Sequence, residues 1–273
     1  MAKLIGIATW NFSEGNLADR IERFIGMGYN AISLSARDAK ALCAGQTPDV
    51  EEVIARHALA VAIHAGLAPT KEPVQTGELL DDFNLFASWH ARTNSLVTII
   101  YDAAKLKTDS GLVFQTEAMV NTVGQMLRIS EGLGFTVGVE DWPRGDEQFD
   151  DAEALRRYPH YGILIDLGHL NFRVRKSLNY FDMPFPVEAA RQYLDEIYLP
   201  VNELHIHNND GKADLHAPPD AGTSDLMALA RLLKEKGVDC LSTIELVPAW
   251  CGLSMQEGFA AASDALNYWS EAF

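Results

Sequence analysis

Gly162-Ile-Leu-Ile-Asp166-Leu-Gly-His169 is the stretch on which the fold turns: a short apolar run stops on a carboxylate, and a histidine follows three residues later. Three further stretches repeat the device, Thr136-Val-Gly-Val-Glu140, Glu203-Leu-His-Ile-His207 and Leu241-Ser-Thr-Ile-Glu245. An apolar strand that finishes on a carboxylate or an imidazole is how a parallel βα barrel carries chemistry, because its site collects at the C-terminal ends of the strands.

Outward from these stretches, short apolar runs alternate with longer amphipathic ones along the whole chain. The expected strands are Lys3 to Ala8, Ala31 to Ser35, Leu59 to His64, Leu96 to Tyr101, Phe135 to Glu140, Gly162 to Asp166, Glu203 to His207 and Leu241 to Glu245. Between them the helical spacing covers Leu17 to Met27, Val50 to His57, Leu79 to Arg92, Val113 to Leu133, Asp151 to Tyr158, Val187 to Leu194, Leu226 to Lys236 and Gly258 to Trp269. Eight such units, with no low-complexity tract or linker between them, give an α/β fold: a single (β/α)8 TIM barrel over residues 1–273. The structural alternative is an open doubly wound sheet, which gathers ligands at one switch point, whereas here the polar strand ends recur around the sheet. Ala65 to Gly77, Trp142 to Asp150 and Asn171 to Pro186 are the least regular segments, and each follows a strand end where a pocket is built.

The composition narrows the partners. With 273 residues and 48% hydrophobic content the chain can bury a full core. Its 38 acidic residues against 22 basic ones leave a net charge of -16, which repels phosphate backbones and anionic lipid, so nucleic acid is disfavoured. Three cysteines without C-x-x-C spacing fit a reducing, cytoplasmic setting. The opening run reads as a first strand and not a signal peptide, and no apolar stretch approaches the roughly 20 residues that span a bilayer. A homo-oligomer is compatible with this composition.

Glu140, Asp166, His207 and Glu245 end four successive strands, each separated from the next by one βα unit. Three carboxylates around one mouth cannot all stay ionised without a cation or strongly raised pKa values. An oxygen-rich set with one nitrogen suits Mn, Mg, Co or Zn. Any one of these acids could instead cap the helix that follows it.

Around the quartet stand His169, three residues past Asp166, and the loop pair Asp214-Leu-His216; these are candidate second-metal ligands or substrate contacts. His64 ends Val61-Ala-Ile-His and Tyr101 ends Thr98-Ile-Ile-Tyr, so both are candidate substrate or metal groups. Trp10, Trp142 and Trp250 follow strand ends and are candidate apolar walls for the C–H face of a sugar. His205, one layer below His207, reads as a hydrogen-bonded core histidine. Arg173, Arg175 and Lys176 read as a solvated basic loop. There is no Rossmann, Walker or nucleophile-elbow motif.

At Ile163-Leu-Ile-Asp166-Leu-Gly-His169, His205-Ile-His207-Asn-Asn-Asp210 and Thr243-Ile-Glu245 the chain resembles the xylose-isomerase-like barrel superfamily, which holds sugar isomerases and epimerases, inosose dehydratases and endonuclease IV. The resemblance implies that Glu140, Asp166, His207 and Glu245 bind one divalent metal, with Glu140 and Glu245 doing acid/base work. The endonuclease branch has additional ligands, matched by His64, His169, Asp214 and His216, and the resemblance to it admits a second metal. That branch has a histidine where this chain has Tyr101, which sets the chain nearer the sugar epimerases.

The expected activity is therefore isomerisation or epimerisation of a small sugar, keto-sugar or polyol by proton abstraction beside a carbonyl. The alternatives are an inosose-type dehydratase, a metal-dependent phosphodiesterase like endonuclease IV, and a non-catalytic sugar-binding barrel.

Overall fold

All eight expected strands form within two residues of their expected bounds. The computed structural model describes residues 3–66, 73–102, 105–108, 111–114, 116–140, 155–178, 185–197 and 199–273. The strands are β1 (Ile5–Ala8), β2 (Ala31–Ser35), β3 (Ala60–His64), β4 (Leu96–Asp102), β5 (Lys105–Thr108), β6 (Gly111–Phe114), β7 (Thr136–Glu140), β8 (Tyr161–Asp166), β9 (Val201–Ile206) and β10 (Leu241–Ile244). The helices are α1 (Leu17–Met27), α2 (Ala36–Cys43), α3 (Pro48–His57), α4 (Pro73–Thr93), α5 (Thr116–Ile129), α6 (Leu167–Leu178), α7 (Val187–Glu196), α8 (Leu226–Glu235) and α9 (Met255–Ala272).

Eight strands close into a parallel barrel in the order β1-β10-β9-β8-β7-β4-β3-β2. The fold is a (β/α)8 TIM barrel, as the alternation of apolar runs requires. Its strands are buried on both faces, which is why they read as near-continuous apolar runs: all six positions of β8 are buried. Register is set by pairs such as Thr243 with His205 and Asp102 with Glu140.

Helix boundaries follow from capping chemistry. The Asn16 side chain accepts from the Asp19 amide to open α1, and Gly28, at φ 110, closes it. Asp225 caps α8 through the Ala228 amide, and Ser254 with Glu257 forms a reciprocal box at the start of α9.

Backbone contacts gather the chain into two compact units, one made of residues up to Ser33 together with Ile165–Phe273, the other of Leu34–Leu164. In the first, Phe12, Phe24 and Phe259 pack with ring centroids 5.0 to 5.4 Å apart, and the Tyr29 hydroxyl donates to the Ala262 carbonyl at 2.7 Å. In the second, Phe83, Phe86 and Trp89 of α4 are buried, as is Phe135, whose ring lies 6.0 Å from that of Phe83. His90 there is fully used: Nε2 donates to the Leu133 carbonyl at 2.8 Å, and Nδ1 accepts from the Leu96 amide at 3.2 Å.

Three expectations are corrected. The stretch from Val113 to Leu133 is not one helix: an antiparallel hairpin of β5 and β6 precedes α5, which begins at Thr116 and ends at Ile129. Asn171 opens no loop, because α6 runs to Leu178. Arg175 is buried and not solvated; its Nε donates to Asn171 Oδ1 at 2.8 Å and its Nη2 to the Thr223 carbonyl at 3.1 Å. Of the expected helix from Asp151 to Tyr158, residues 151–154 lie outside the described residues and residues 155–157 form a turn.

Candidate metal centre

Asp166 is the last residue of β8, and α6 starts immediately after it, so the carboxylate stands at a helix N-terminus. Its Oδ1 accepts from the His169 amide at 2.8 Å, the capping role open to any strand-terminal acid. It also meets an imidazole: His207 Nε2 lies 2.9 Å from Oδ1 and 3.1 Å from Oδ2. One carboxylate thus caps the helix and faces the next strand's end.

Asp166, His207 and Glu245 each bring one ligand atom to within 4.8 Å of the other two, and all three residues are buried. His207 and Glu245 follow the last residues of β9 and β10, and Asp166 ends β8. Two carboxylates and an imidazole at this spacing fit a divalent cation as ligands, with the remaining positions left to a further side chain, water or substrate oxygens.

A second group adjoins the first. His169, His207, Asp214 and His216 also bring ligand atoms within 4.8 Å of one another. Asp214 Oδ2 lies 2.9 Å from His169 Nε2 and 3.3 Å from His216 Nε2. The rings of His207 and His216 stack with centroids 3.9 Å apart and 12° between planes. His216 sits at φ 46, a left-handed conformation that costs a residue with a Cβ. It is held there by its own carbonyl, which accepts from the Val247 amide at 3.1 Å, and by Nδ1, which donates to the Glu245 carbonyl at 3.1 Å.

The electrostatics follow from these contacts. Burial alone would raise the Asp166 carboxyl, but His169, His207 and His205 hold it well below the usual carboxylate range. Burial likewise opposes ionisation of Glu245, and the His205 and His216 imidazoles outweigh it, bringing the carboxyl down to about 2. Asp214 is depressed by His169 and His216 against its burial. His216 moves the other way: desolvation is outweighed by Asp214, Glu245 and Asp166, and its pKa rises to about 9.

In the other unit His64, the last residue of β3, lies 3.2 Å from Asp102 Oδ1 and 3.4 Å from Glu140 Oε2. Asp102 and Glu140 are register partners at the ends of β4 and β7, so their side chains share a face. A histidine between two strand-terminal carboxylates is a ready proton-bearing or metal-binding group.

Among solved structures the chain superposes on the IOLI protein, solved with a bound zinc atom, at a TM-score of 0.69 and 18% identity over 98% of this chain and 99% of that one. It superposes on D-allulose 3-epimerase from Methylomonas sp. at 0.70 and 10% identity, over 99% and 98% of the two chains. A xylose isomerase-like TIM barrel/4-hydroxyphenylpyruvate dioxygenase fusion protein matches at 0.61 and 13% identity, over 97% of this chain and 42% of that one. The fold is that of the xylose isomerase-like TIM barrels. No protein-family model and no curated protein sequence matches the chain.

Within this barrel, the expected site residues are distributed unevenly. His64 and Glu140 come together, as do Asp166, His169, His207, His216 and Glu245. Tyr101 is a correction: adjacent residues of a strand face opposite sides, and with Asp102 turned toward His64 the phenol is fully buried on the side of α4, near enough to Asp82 to feel its charge. Burial pushes its hydroxyl pKa up.

Trp250 lies in a 3-10 turn after β10, 60% exposed, with its ring edge-on to His216 at 5.3 Å. Trp10 lies in the 3-10 turn after β1 and is half-buried. Trp142 lies outside the described residues.

Asp102 was legible by the rule that found the others, one residue beyond the expected end of its strand. Glu203 was legible too, since period two places Glu203, His205 and His207 on one face. Among the described residues no helix is long and apolar enough to cross a membrane.

Proposed function

We propose that the chain is a divalent-metal-dependent isomerase or epimerase of a small sugar, keto-sugar or polyol, working in the cytoplasm as one (β/α)8 domain over residues 1–273. The observation that carries this reading is the convergence of Asp166, His207 and Glu245 at barrel strand ends, with a further carboxylate, Glu140, held by His64 at the end of its own strand. Asp166, His207, Glu245 and Glu140 would hold one metal, of which Mn, Mg, Co and Zn all suit the donors. When bound, the metal would gather vicinal substrate oxygens and stabilise charge as it develops on them.

The chain's own part is proton transfer. Glu245 and Glu140 are the acid/base pair: one removes the proton beside the carbonyl, and the other returns a proton to the resulting enediolate. Delivery by the second carboxylate to the opposite face of the same carbon epimerises it; if instead the first carboxylate returns the proton to the neighbouring carbon, the sugar is isomerised. His64 and His169 orient hydroxyl groups, and Trp250 and Trp10 offer apolar walls to the C–H face of the ring. Structural likeness to D-allulose 3-epimerase supports the choice of a sugar, and likeness to the zinc-bound IOLI protein supports the choice of a metal.

A second reading has its own support. The adjoining group of His169, His207, Asp214 and His216 shares His207 with the first, so a further metal would be held by His169, Asp214 and His216, and two adjacent metals suit phosphodiester hydrolysis. The -16 net charge opposes a nucleic-acid substrate.

The deciding experiment incubates Mn2+-loaded protein with a panel of ketohexoses, D-allulose among them, in deuterated water. Solvent deuterium is expected at the carbon beside the carbonyl. Absence of exchange across the panel, together with cleavage of an abasic-site oligonucleotide by the same preparation, would replace the isomerase reading with the hydrolytic one.

A further inference from the structure

Below the candidate metal ligands the barrel interior holds a second carboxylate and imidazole that metal binding itself does not require. Glu203 and His205, on β9, are both fully buried. Thr243, the register partner of His205 on β10, donates its hydroxyl to Glu203 Oε1 at 2.5 Å. His205 Nε2 lies 3.6 Å from the same Glu203 oxygen, and its Nδ1 lies 2.9 Å from Glu245 Oε2 and 3.8 Å from Asp166 Oδ2. Thr243, Glu203, His205 and Glu245 therefore form one line running up the inside of the barrel from β10 to the metal ligands.

We propose that His205 is a positioning residue that clamps the Glu245 carboxylate, with Glu203 fixing the imidazole from below. The inference rests on the reading of Glu245 as a metal ligand and acid/base group.

Glu245 follows the last residue of β10 and has three side-chain torsions to fix before its oxygens can serve a metal or a proton. His205 engages Oε2, and His216 Nδ1 approaches the same oxygen at 3.5 Å, so the carboxylate is gripped by one oxygen and presents the other, Oε1, for chemistry. A buried Glu203 is costly unless it does something for its neighbours. Here its carboxylate stands 3.6 Å from His205 Nε2 on the side away from Glu245, an electrostatic contact longer than a hydrogen bond that favours one orientation of the ring, as supporting groups orient a ligand. Its Thr243 partner in turn comes from the strand that carries Glu245.

The test compares the wild type with His205→Leu, His205→Asn and Glu203→Gln, using Co2+ as the probe and metal-free crystal structures as a second readout. His205→Leu is expected to bind Co2+ about 10- to 100-fold more weakly, with a shifted visible absorption spectrum, and to show the Glu245 side chain out of its wild-type rotamer. Asn can place an amide N–H near the position of Nδ1, so His205→Asn is expected to recover affinity to within about 3-fold of the wild type; a merely space-filling role would be better rescued by Leu.

If His205→Leu does not fold, Glu203→Gln, which keeps shape and an acceptor for Thr243, is expected to weaken Co2+ binding in the same direction with a smaller amplitude. Wild-type affinity, spectrum and Glu245 rotamer in the folded variants would overturn the proposal. If the wild type takes up no Co2+, the metal reading fails instead, and the Glu245 rotamer in the metal-free structures decides the clamp by itself.

Discussion

The ring of His207 fills the space that a side chain on residue 168 would need: a Cβ built on Gly168 would lie 2.0 Å from His207 Cε1 and 2.4 Å from Nδ1. No rotamer adjustment absorbs a clash of that size with a fully buried ring stacked on His216. The run Asp166-Leu-Gly-His169 is thereby explained residue by residue. The acid caps α6 and meets His207, the glycine makes room for that ring, and the following histidine reaches Asp214. Gly168→Ala is expected to cost about 1–3 kcal/mol of stability by overpacking and to weaken Mn2+ binding at least tenfold by displacing His207. Calorimetric melting and Mn2+ titration read the two effects separately; unchanged Mn2+ affinity in a destabilised variant would remove His207 from the ligand set.

Glu245→Gln keeps the shape of the side chain and removes its charge and its proton-accepting oxygen. Deuterium incorporation into a ketose is expected to fall by roughly 10²- to 10⁴-fold, the usual weight of a positioned acid or base. Circular dichroism should be unchanged. Full exchange in the variant would assign the proton transfer to another group.

His216 gives the metal-free protein a pH dependence with a definite sign. Its folded pKa is raised from 6.5 to about 9, so its contribution to stability is complete below about pH 6.5 and is lost as pH rises through about 9. Asp166, Asp214 and Glu245 are depressed, so theirs is present above about pH 4 and is lost as pH falls, for Glu245 toward about 2. Urea unfolding of the metal-free wild type is expected to show about 1–3 kcal/mol more loss between pH 6 and pH 9.5 than unfolding of His216→Gln. Equal losses in the two proteins would mean that His216 carries no extra proton in the folded state.

The barrel was legible because its strands are buried on both faces and so announce themselves as unbroken apolar runs. Tyr161-Gly-Ile-Leu-Ile-Asp166 needs no partner to be recognised as a strand. The hairpin of β5 and β6 was not legible in the same way: Val113 and Phe114 merge with the helical spacing of Thr116–Ile129, although the Asp109-Ser-Gly111 that precedes Leu112 is a turn composition.

The site was legible as a list and not as a geometry. Period two puts Glu203, His205 and His207 on one face, but only the pairing of Thr243 with His205 shows which of them meets Glu245. Tyr101 and Asp102 differ by one position, and a single step in a strand exchanges the barrel interior for the helical layer. Arg175 reads as a surface cation in the sequence because its partners, Asn171 and the Thr223 carbonyl, come from within α6 and from a loop far along the chain.

Trp250 is a large apolar side chain that the fold leaves 60% exposed, edge-on to His216. An indole in that position does little for the core, so Trp250→Ala is expected to change unfolding stability by no more than about 0.5 kcal/mol. Against the C–H face of a sugar the same ring is worth roughly 0.5–1.5 kcal/mol, by analogy with aromatic pairs, which converts to a rise in KM of about 2- to 12-fold with little change in kcat. Steady-state kinetics on whichever ketose exchanges deuterium makes the measurement. A fall in kcat at constant KM would give Trp250 a part in the transition state, and no change in either would confine the wall to other residues.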